Sequence, residues 1–366
     1  MGSCVTMSSA VHRMLAAAAA TMLLVTVGVS AQGQGRWLTG KFAPLSEPAE
    51  EYWSAAANGK MYLFGGSATN IGGRQVLPGR VLEYDPAADK WTAKKQMPHP
   101  ADHMAVAEYR GKIYLFGGTG PQQPTDGGSN TFFLDKSWEY DPVADSWKSL
   151  APIPTRRHAA VAAEVGGKIY VIGGSGNLAG TDGPFANSNP NLMVLATNEV
   201  YDPATNTWAT RRPVPTPRNH AAAGVVGGKI SVIGGRLASA NVGNSVASPT
   251  DVVEEYDPAT DRWRGMTKMP TARSGHGWAT YQGRIYVVGG EHRDSHMDAV
   301  FRDLEAFDPA ANEWARLPPM PTARHGVNVA ALGNRLHVIG GHVAFSGTGG
   351  HSSDTELHEV FEFSQK

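Results

Sequence analysis

The sequence predicts an all-β protein built from six repeated units, and three observations support this. Its 366 residues include 43 glycines and 24 prolines, which is too turn-rich for a helical protein, while 41% hydrophobic and 18% charged residues are too apolar for a disordered one. Glycine doublets recur six times at a period of about fifty residues. A short run of β-branched and aromatic residues precedes each doublet. The doublets are Gly65-Gly66, Gly117-Gly118, Gly173-Gly174, Gly234-Gly235, Gly289-Gly290 and Gly340-Gly341.

The third repeat illustrates the four strands expected in each unit. Residues 169–172 (IYVI) read as a strand that ends at the doublet, and the Gly166-Gly167 pair before them predicts a two-residue hairpin turn. A first strand of small residues, 159–163 (AAVAA), therefore precedes the turn. A third strand ends at Tyr201-Asp202-Pro203, where Asp-Pro opens a turn, and Trp208 begins a fourth. The same tryptophan position is occupied by Trp91, Trp147, Trp263 and Trp314 in other repeats.

The order Gly-Gly, Tyr-Asp-Pro and Trp resembles the kelch repeat. That resemblance covers residues 35–366 and implies a six-bladed β-propeller with one four-stranded blade per repeat. In particular, the chain resembles exported, bacterial-type kelch proteins with six repeats.

The ring is predicted to close through the N-terminal strand. The sixth repeat has its doublet and a third strand, residues 360–363, but the printed sequence ends at Lys366 without the expected tryptophan. Trp37 precedes the first small-residue strand as Trp91 precedes the second. We therefore expect the segment around Trp37 to complete the C-terminal blade, which removes two exposed strand edges.

The first 31 residues are predicted to be a secretory signal peptide, followed by the propeller domain at 32–366. Uncharged, apolar residues 14–29 follow His12 and Arg13, and Val29 and Ala31 are the small residues of a cleavage site. An uncleaved anchor is the alternative. We expect a secreted or periplasmic protein, outside the membrane after cleavage and monomeric. The only cysteine, Cys4, lies in this segment, so disulfides and thiolate metal sites are not expected in the mature chain.

Charge excludes one class of partner. Thirty-two basic and 33 acidic residues give a formal net charge of −1, so the basic footprint of a nucleic-acid-binding protein is absent. We expect no nucleic-acid partner.

Four arginines recur at the start of the predicted innermost strands, sixteen residues before a doublet. They are Arg157, Arg218, Arg273 and Arg324, each within a Pro-Thr-x-Arg motif. Converging near the axis, their guanidinium groups would suit an acidic sugar or a peptide carboxylate. The alternative is that the motif belongs to the repeat and holds neighbouring segments together.

Other polar and aromatic groups are candidates on the same loop face. Glu291 and His292 directly follow the fifth doublet, with His296 close behind, and His342 follows the sixth. Carboxylate and imidazole groups together suit acid–base catalysis or ligand binding. Trp138, one of three tryptophans outside the repeat phase with Trp53 and Trp278, is a candidate for an aromatic wall, although packing of the loops on themselves is the alternative. The spacing matches no metal motif, and we predict no metal or other cofactor.

Two functions remain open. The first is an exported binding module that recognises a carbohydrate or a protein with its loop face. The second is an isomerase, because the exported status, length and six repeats resemble the periplasmic sialic acid mutarotases (N-acetylneuraminate epimerases). That resemblance implies catalysis on an acidic sugar, with Glu291, His292 or His342 as acid and base. Copper-radical galactose oxidase chemistry is excluded because it needs a cysteine and the predicted mature chain has none.

Overall fold

The computed structural model describes most of the propeller sequence. The described residues are 35–48, 50–69, 75–77, 79–121, 131–177, 192–237, 248–293, 298–344 and 354–364. The predicted signal peptide and His296 lie outside them. Within these residues, no helix is long and apolar enough to cross a membrane.

Six four-stranded antiparallel blades form the structure, as predicted. The first strands are Glu50–Ala57, Ala105–Tyr109, Val161–Val165, Ala222–Val226, Gly277–Tyr281 and Asn328–Leu332. The second strands are Lys60–Thr69, Lys112–Phe116, Lys168–Ile172, Lys229–Ile233, Arg284–Val288 and Arg335–Ile339. The third strands are Arg80–Asp85, Ser137–Asp141, Asn198–Asp202, Val253–Asp257, Leu304–Asp308 and His358–Phe363. The fourth strands of blades one to five are Lys90–Ala93, Ser146–Ser149, Thr207–Arg211, Arg262–Gly265 and Glu313–Leu317, and Gly35–Trp37 is that of blade six.

Short ribbons extend four blades beyond their second strands. They are Gln75–Val76 paired with the end of Lys60–Thr69, Thr119–Pro121 with Thr131–Phe133, Ser175–Asn177 with Leu192–Val194, and Glu291–Arg293 with Asp298–Val300.

The first strands surround the axis, each lying against its neighbours, with blade six against blade one. Their small residues are needed for this crowding. A Cβ atom on Gly224 of blade four would come within 2.4 Å of the Ile285 side chain of blade five. The hydrophobic core lies between blades, as where Tyr62 and Phe64 of blade one pack with Leu115 and Tyr140 of blade two. Burial of these side chains is the main force holding the ring together.

The prediction that the N-terminal strand closes the ring is confirmed. Gly35–Trp37 pairs antiparallel with the third strand of blade six, with Trp37 opposite Phe361. The Trp37 indole nitrogen donates a hydrogen bond of 2.8 Å to the carbonyl of Pro318. All five other repeat tryptophans bond equivalent carbonyls, as Trp208 does that of Ala151 at 3.0 Å. The tryptophan of each blade thus ties it to the blade before.

Candidate functional site

The loop face is built by a contact that recurs in five blades. In each of these blades, the residue after the motif arginine, or after Ala101 in blade two, forms an isolated β-bridge with the residue after the blade's own glycine doublet. The two loop types therefore meet, as expected from antiparallel alternation. The bridged pairs are Asp102 with Thr119, His158 with Ser175, Asn219 with Arg236, Ser274 with Glu291, and His325 with His342.

A ring of backbone hydrogen bonds places the next residue of each blade around the axis. The amides of Ala159, His220, Gly275 and Gly326 donate to the carbonyl of the equivalent residue one blade earlier, at 2.7 to 3.2 Å, beginning with His103 as acceptor. All five have a positive φ between 49° and 61°. This left-handed conformation turns the chain sharply into the first strand. It explains why the first strand of blade three begins at Val161 and not at Ala159.

A pocket of about 110 Å³ opens at this ring and receives residues from all six blades. Trp53 and Trp278 form part of its wall, and their ring centroids are 6.3 Å apart. Among its polar lining residues are His103, His220 and Arg236. Aromatic and polar groups converging at one concave site are typical of a binding pocket.

Arg236 and Glu291 form a buried ion pair at the pocket wall. An Arg236 Nη2–Glu291 Oε1 distance of 2.5 Å joins blade four to blade five, and Nε of Arg236 donates to Ser274 Oγ at 2.9 Å. Glu291 is fully buried, and its other oxygen lies 3.7 Å from Nε2 of His325. Glu291 therefore contacts two residues that line the pocket, Arg236 and His325, although it does not line the pocket itself.

The other two candidates, His342 and His292, are held by different partners. His342 Nδ1 hydrogen-bonds Asp354 at 2.7 Å, and its ring centroid is 5.2 Å from that of His325. His292 Nδ1 donates to the carbonyl of Ala272 at 2.9 Å. Neither lines the pocket directly.

Three histidines from blades two, three and four lie close together, and we call His103, His158 and His220 the histidine cluster. Their ring centroids are 5.2 to 6.0 Å apart. Burial, followed by the positive charge of Arg236, holds the pKa of His220 well below its usual value. Sequence reasoning did not select His158, His220 or Arg236 as site residues. The off-phase positions of Trp53 and Trp278 were the available signal.

The four motif arginines do not face a ligand, which corrects the carboxylate-ring hypothesis. Each is at most 1% exposed and forms an ion pair with a glutamate on the third strand of its own blade. The pairs are Arg157–Glu199, Arg218–Glu254, Arg273–Glu305 and Arg324–Glu359, at 2.7 to 2.9 Å. The threonine of each motif donates to the same carboxylate, at 2.7 Å from Thr155 to Glu199. Pro-Thr-x-Arg is thus a clamp within the blade.

The glycine doublets receive the backbone of these arginines. The carbonyl of Arg218 accepts a 2.9 Å hydrogen bond from Gly174 of the preceding blade. A Cβ atom on Gly173 would come within 2.6 Å of that oxygen, and its φ of +68° favours glycine. The arginine and doublet positions are therefore explained by packing between blades.

Trp138 also lies away from the axial pocket. It stands on the third strand of blade two and lines a separate small recess with Met104 and Leu134. The aromatic residue nearby that approaches the histidine cluster is Phe133, whose ring centroid is 5.1 Å from that of His158. The aromatic-wall hypothesis for Trp138 is thus not supported by its position, whereas Trp53 and Trp278 do line a pocket.

No group of three or more histidine, cysteine, aspartate or glutamate side chains is arranged to hold a metal ion within the described part of the chain. The expectation of a cofactor-free protein stays a prediction.

Six four-stranded blades with a shared Gly-Gly and tryptophan scaffold define a β-propeller of the repeat type. Residues 151–341 match the family model described as the KLHDC2/KLHL20/DRC7 Kelch-repeats domain. The chain belongs to the kelch-repeat family.

Its relatives are similar over most of the propeller. Kelch-like protein terF of Aspergillus terreus is 28% identical over 320 residues, covering 86% of this chain and 66% of the relative. Kelch-like protein 25 of Xenopus tropicalis is 26% identical, covering 74% of this chain and 42% of the relative. Beta-scruin of Limulus polyphemus is 28% identical, covering 71% and 27%. This chain thus spans less than two thirds of the length of these relatives.

Among solved structures, one described as "Structure of YjhT" superimposes with a TM-score of 0.68. It covers 87% of this chain and 95% of its own, at 19% identity. At this identity the similarity establishes a shared fold.

Proposed function

We propose that this protein is an exported binding module that recognises a carbohydrate or protein ligand with its loop face, and that the axial pocket receives one group of that ligand. The observation that carries the proposal is the pocket itself, where two tryptophans outside the repeat phase meet polar side chains from several blades. The kelch propeller is a fold typical of protein-interaction modules. Loops presented by a rigid scaffold are the usual place for recognition.

The remainder of the repeat supports this assignment by contrast. The arginines, repeat tryptophans and doublets are each engaged with protein groups and explain how the blades are held together. The side chains of Trp53 and Trp278 lie outside this repeated pattern and line the pocket. Export is proposed from the sequence of residues 14–31.

Arrays of defined glycans and of peptides, probed with the purified protein, test this function. We expect binding to one class of array that Trp53→Ala abolishes. Trp138→Ala is the matched control, because it removes an off-phase tryptophan outside the axial pocket and should preserve binding. Binding that survives Trp53→Ala, or the absence of any bound glycan or peptide, argues against the proposal.

A mutarotase is the second candidate, favoured by the buried acid–base groups beside the pocket. Opening the ring of an acidic sugar requires a base to take the anomeric hydroxyl proton while an acid protonates the ring oxygen, as the bond from that oxygen to the anomeric carbon breaks. Closure on the other carbonyl face reverses these transfers. Glu291, held by Arg236 and near His325, is positioned for one of these roles.

NMR of the anomer equilibration of freshly released N-acetylneuraminate tests this alternative. We expect acceleration by the wild type that is lost in Glu291→Gln and retained in Glu313→Gln, since Glu313 is exposed on a fourth strand. Equal rates with and without protein eliminate the mutarotase.

A further inference from the structure

We propose that the axial pocket binds a carboxylate group and takes up a proton as it does so, with the proton residing on the histidine cluster. This inference rests on the proposed function, because it names the ligand chemistry of the same pocket. It follows from two hydrogen-bond donors, one compensated cation and three adjacent imidazoles.

An indole N–H and an amide N–H are among the pocket donors that have no acceptor. Trp53 Nε1 and Asn328 Nδ2 are buried atoms without a hydrogen-bond partner, and both residues line the pocket. Asn328 is only 4% exposed. A buried donor left without a partner is energetically unfavourable, so a ligand that supplies oxygen acceptors is favoured here. Two donors from different blades suit the two oxygens of a carboxylate.

The fixed charges at the pocket do not by themselves balance such an anion. Arg236 is the only lysine or arginine among the described lining residues, and Glu291 already occupies it at 2.5 Å. A carboxylate entering the pocket therefore adds an uncompensated negative charge in a poorly solvated site, which is energetically unfavourable. Positive charge has to be gained on binding.

The histidine cluster is the group that can gain it. His103 and His220 line the pocket, and the ring centroid of His158 lies within 6.0 Å of the ring centroids of both. Protonation of one imidazole would complete an ion pair with the bound carboxylate. His220 Nδ1 is hydrogen-bonded at 2.7 Å to Oδ1 of Asn219, which makes Nδ1 the donor and leaves Nε2 to accept the added proton.

Before an anion binds, neighbouring charged groups influence the protonation state of the histidine cluster. Arg236 and His325 oppose protonation of His220, and Asp102 Oδ1 lies 3.2 Å from Nδ1 of His103. Glu291 is paired with Arg236. A ligand carboxylate reverses this balance, because it places a negative charge beside imidazoles that burial keeps neutral.

The linkage predicts tighter binding at lower pH. When binding takes up one proton, affinity rises by about tenfold for each unit that pH falls between the histidine pKa values of the bound and free states. The neutral isostere of a carboxylate, a primary amide, should show no such dependence.

The test is an NMR pH titration of the histidine Cε1–H signals in the full chain, with acetate as the probe and acetamide as the neutral control. Assignment uses His103→Asn and His220→Asn, because asparagine tolerates the positive φ of these positions. We expect acetate, but not acetamide, to raise the titration midpoint of at least one imidazole of the cluster by half a pH unit or more. Midpoints that are the same in acetate and acetamide overturn the proposal.

Two variants locate the effect. Trp53→Phe should reduce the acetate-induced shift, and Trp138→Phe should preserve it, although both remove a buried indole N–H without a partner. A folded Asn328→Leu variant should likewise show a reduced acetate-induced shift. An equal shift in Trp53→Phe and Trp138→Phe places the anion elsewhere and overturns the pocket assignment.

Further arms separate the source of the carboxylate. N-acetylneuraminate and N-acetylaspartate amide are titrated in the same way, and the larger shift identifies an acidic sugar or a peptide carboxylate. The failure of this inference and the failure of the proposed function can also be told apart. An acetate shift without any array ligand retains the pocket chemistry and removes the binding-module role, while array binding without an acetate shift does the reverse.

Discussion

Arg273 and Glu305 form an ion pair from which solvent is completely excluded, with 2.7 Å between Nη1 and Oε2 and neither side chain exposed. The second guanidinium Nη of Arg273 points at the carbonyl of Val287, 3.4 Å away on the second strand. One side chain therefore links the loop before the first strand to the second and third strands of blade five. Because burial separates both charges from water, each depends on the other.

Replacement of Arg273 is expected to destabilise the protein and not merely to weaken ligand binding. Arg273→Ala removes the buried partner of the Glu305 carboxylate and leaves it only the largely exposed Arg316, 3.6 Å away, which costs about 3–5 kcal/mol. Chemical denaturation measures the free energy of unfolding. Lys268→Ala is the control, because its pair with Asp251 is exposed and should contribute less than about 1 kcal/mol. A stable Arg273→Ala protein that has lost ligand binding would restore the carboxylate-ring hypothesis.

The repeat tryptophans are expected to be structural. Trp208 packs edge-on against Phe116 of the preceding blade, with ring centroids 5.1 Å apart, and bonds the carbonyl of Ala151. Trp208→Ala removes a large side chain from this junction and should lower the free energy of unfolding by about 3 kcal/mol. Trp208→Phe should cost less, since it retains the ring and loses the hydrogen bond. A loss below about 1 kcal/mol in Trp208→Ala contradicts this account of blade packing.

Ring closure should depend on the strand that contains Trp37. Deleting residues 32–40 removes the fourth strand of blade six and exposes the edge formed by residues around Phe361. We expect a marked fall in thermal unfolding temperature and increased association through the unpaired edge, read by light scattering. Arg36→Ala is the control, because the side chain of Arg36 is 78% exposed and its pair with Glu362 spans 3.6 Å. Unchanged melting in the deletion variant would show that closure does not stabilise the ring.

Acid is expected to weaken the junction between blades six and one. His337 Nδ1 lies 2.9 Å from His358 Nε2, and His358 Nδ1 donates to the carbonyl of Ala43 at 3.0 Å. Burial lowers the pKa of His337 to about 3 and of His358 to about 4. Because both values lie below the ordinary 6.5, the stability of the neutral pair is complete above pH 6.5 and is lost as pH falls toward 4.

The free energy of unfolding, measured from pH 7 to 4.5, tests this pair. Together the two histidines should contribute a slope of roughly 1–2 kcal/mol per pH unit. The pH dependence of the free energy of unfolding should be flatter by that amount in the His337→Phe, His358→Leu double variant. Leucine is chosen at position 358 because Leu304 occupies the corresponding third-strand position in blade five. Identical slopes in the wild type and the double variant would assign the acid sensitivity to other histidines.

The sequence by itself determined the ring. Gly173, Trp208 and their equivalents recur because every blade packs against the next in the same way, so the period and the closure through Trp37 are visible without coordinates. What only the tertiary structure decided is which polar and aromatic groups meet. Arg273 finds its glutamate 32 residues later on another strand, and this pairing turned a candidate ligand site into a clamp.

The axial pocket shows the same limit more strongly. Trp53 and Trp278 belong to blades one and five, and their ring centroids lie 6.3 Å apart at the pocket, although the two residues are far apart in the sequence. His103 and His220 line the pocket because they are themselves the left-handed residues that turn the chain into the first strands of their blades. Local periodicity reports how neighbouring blades pack, whereas the composition of the pocket depends on where the closed ring brings distant residues together.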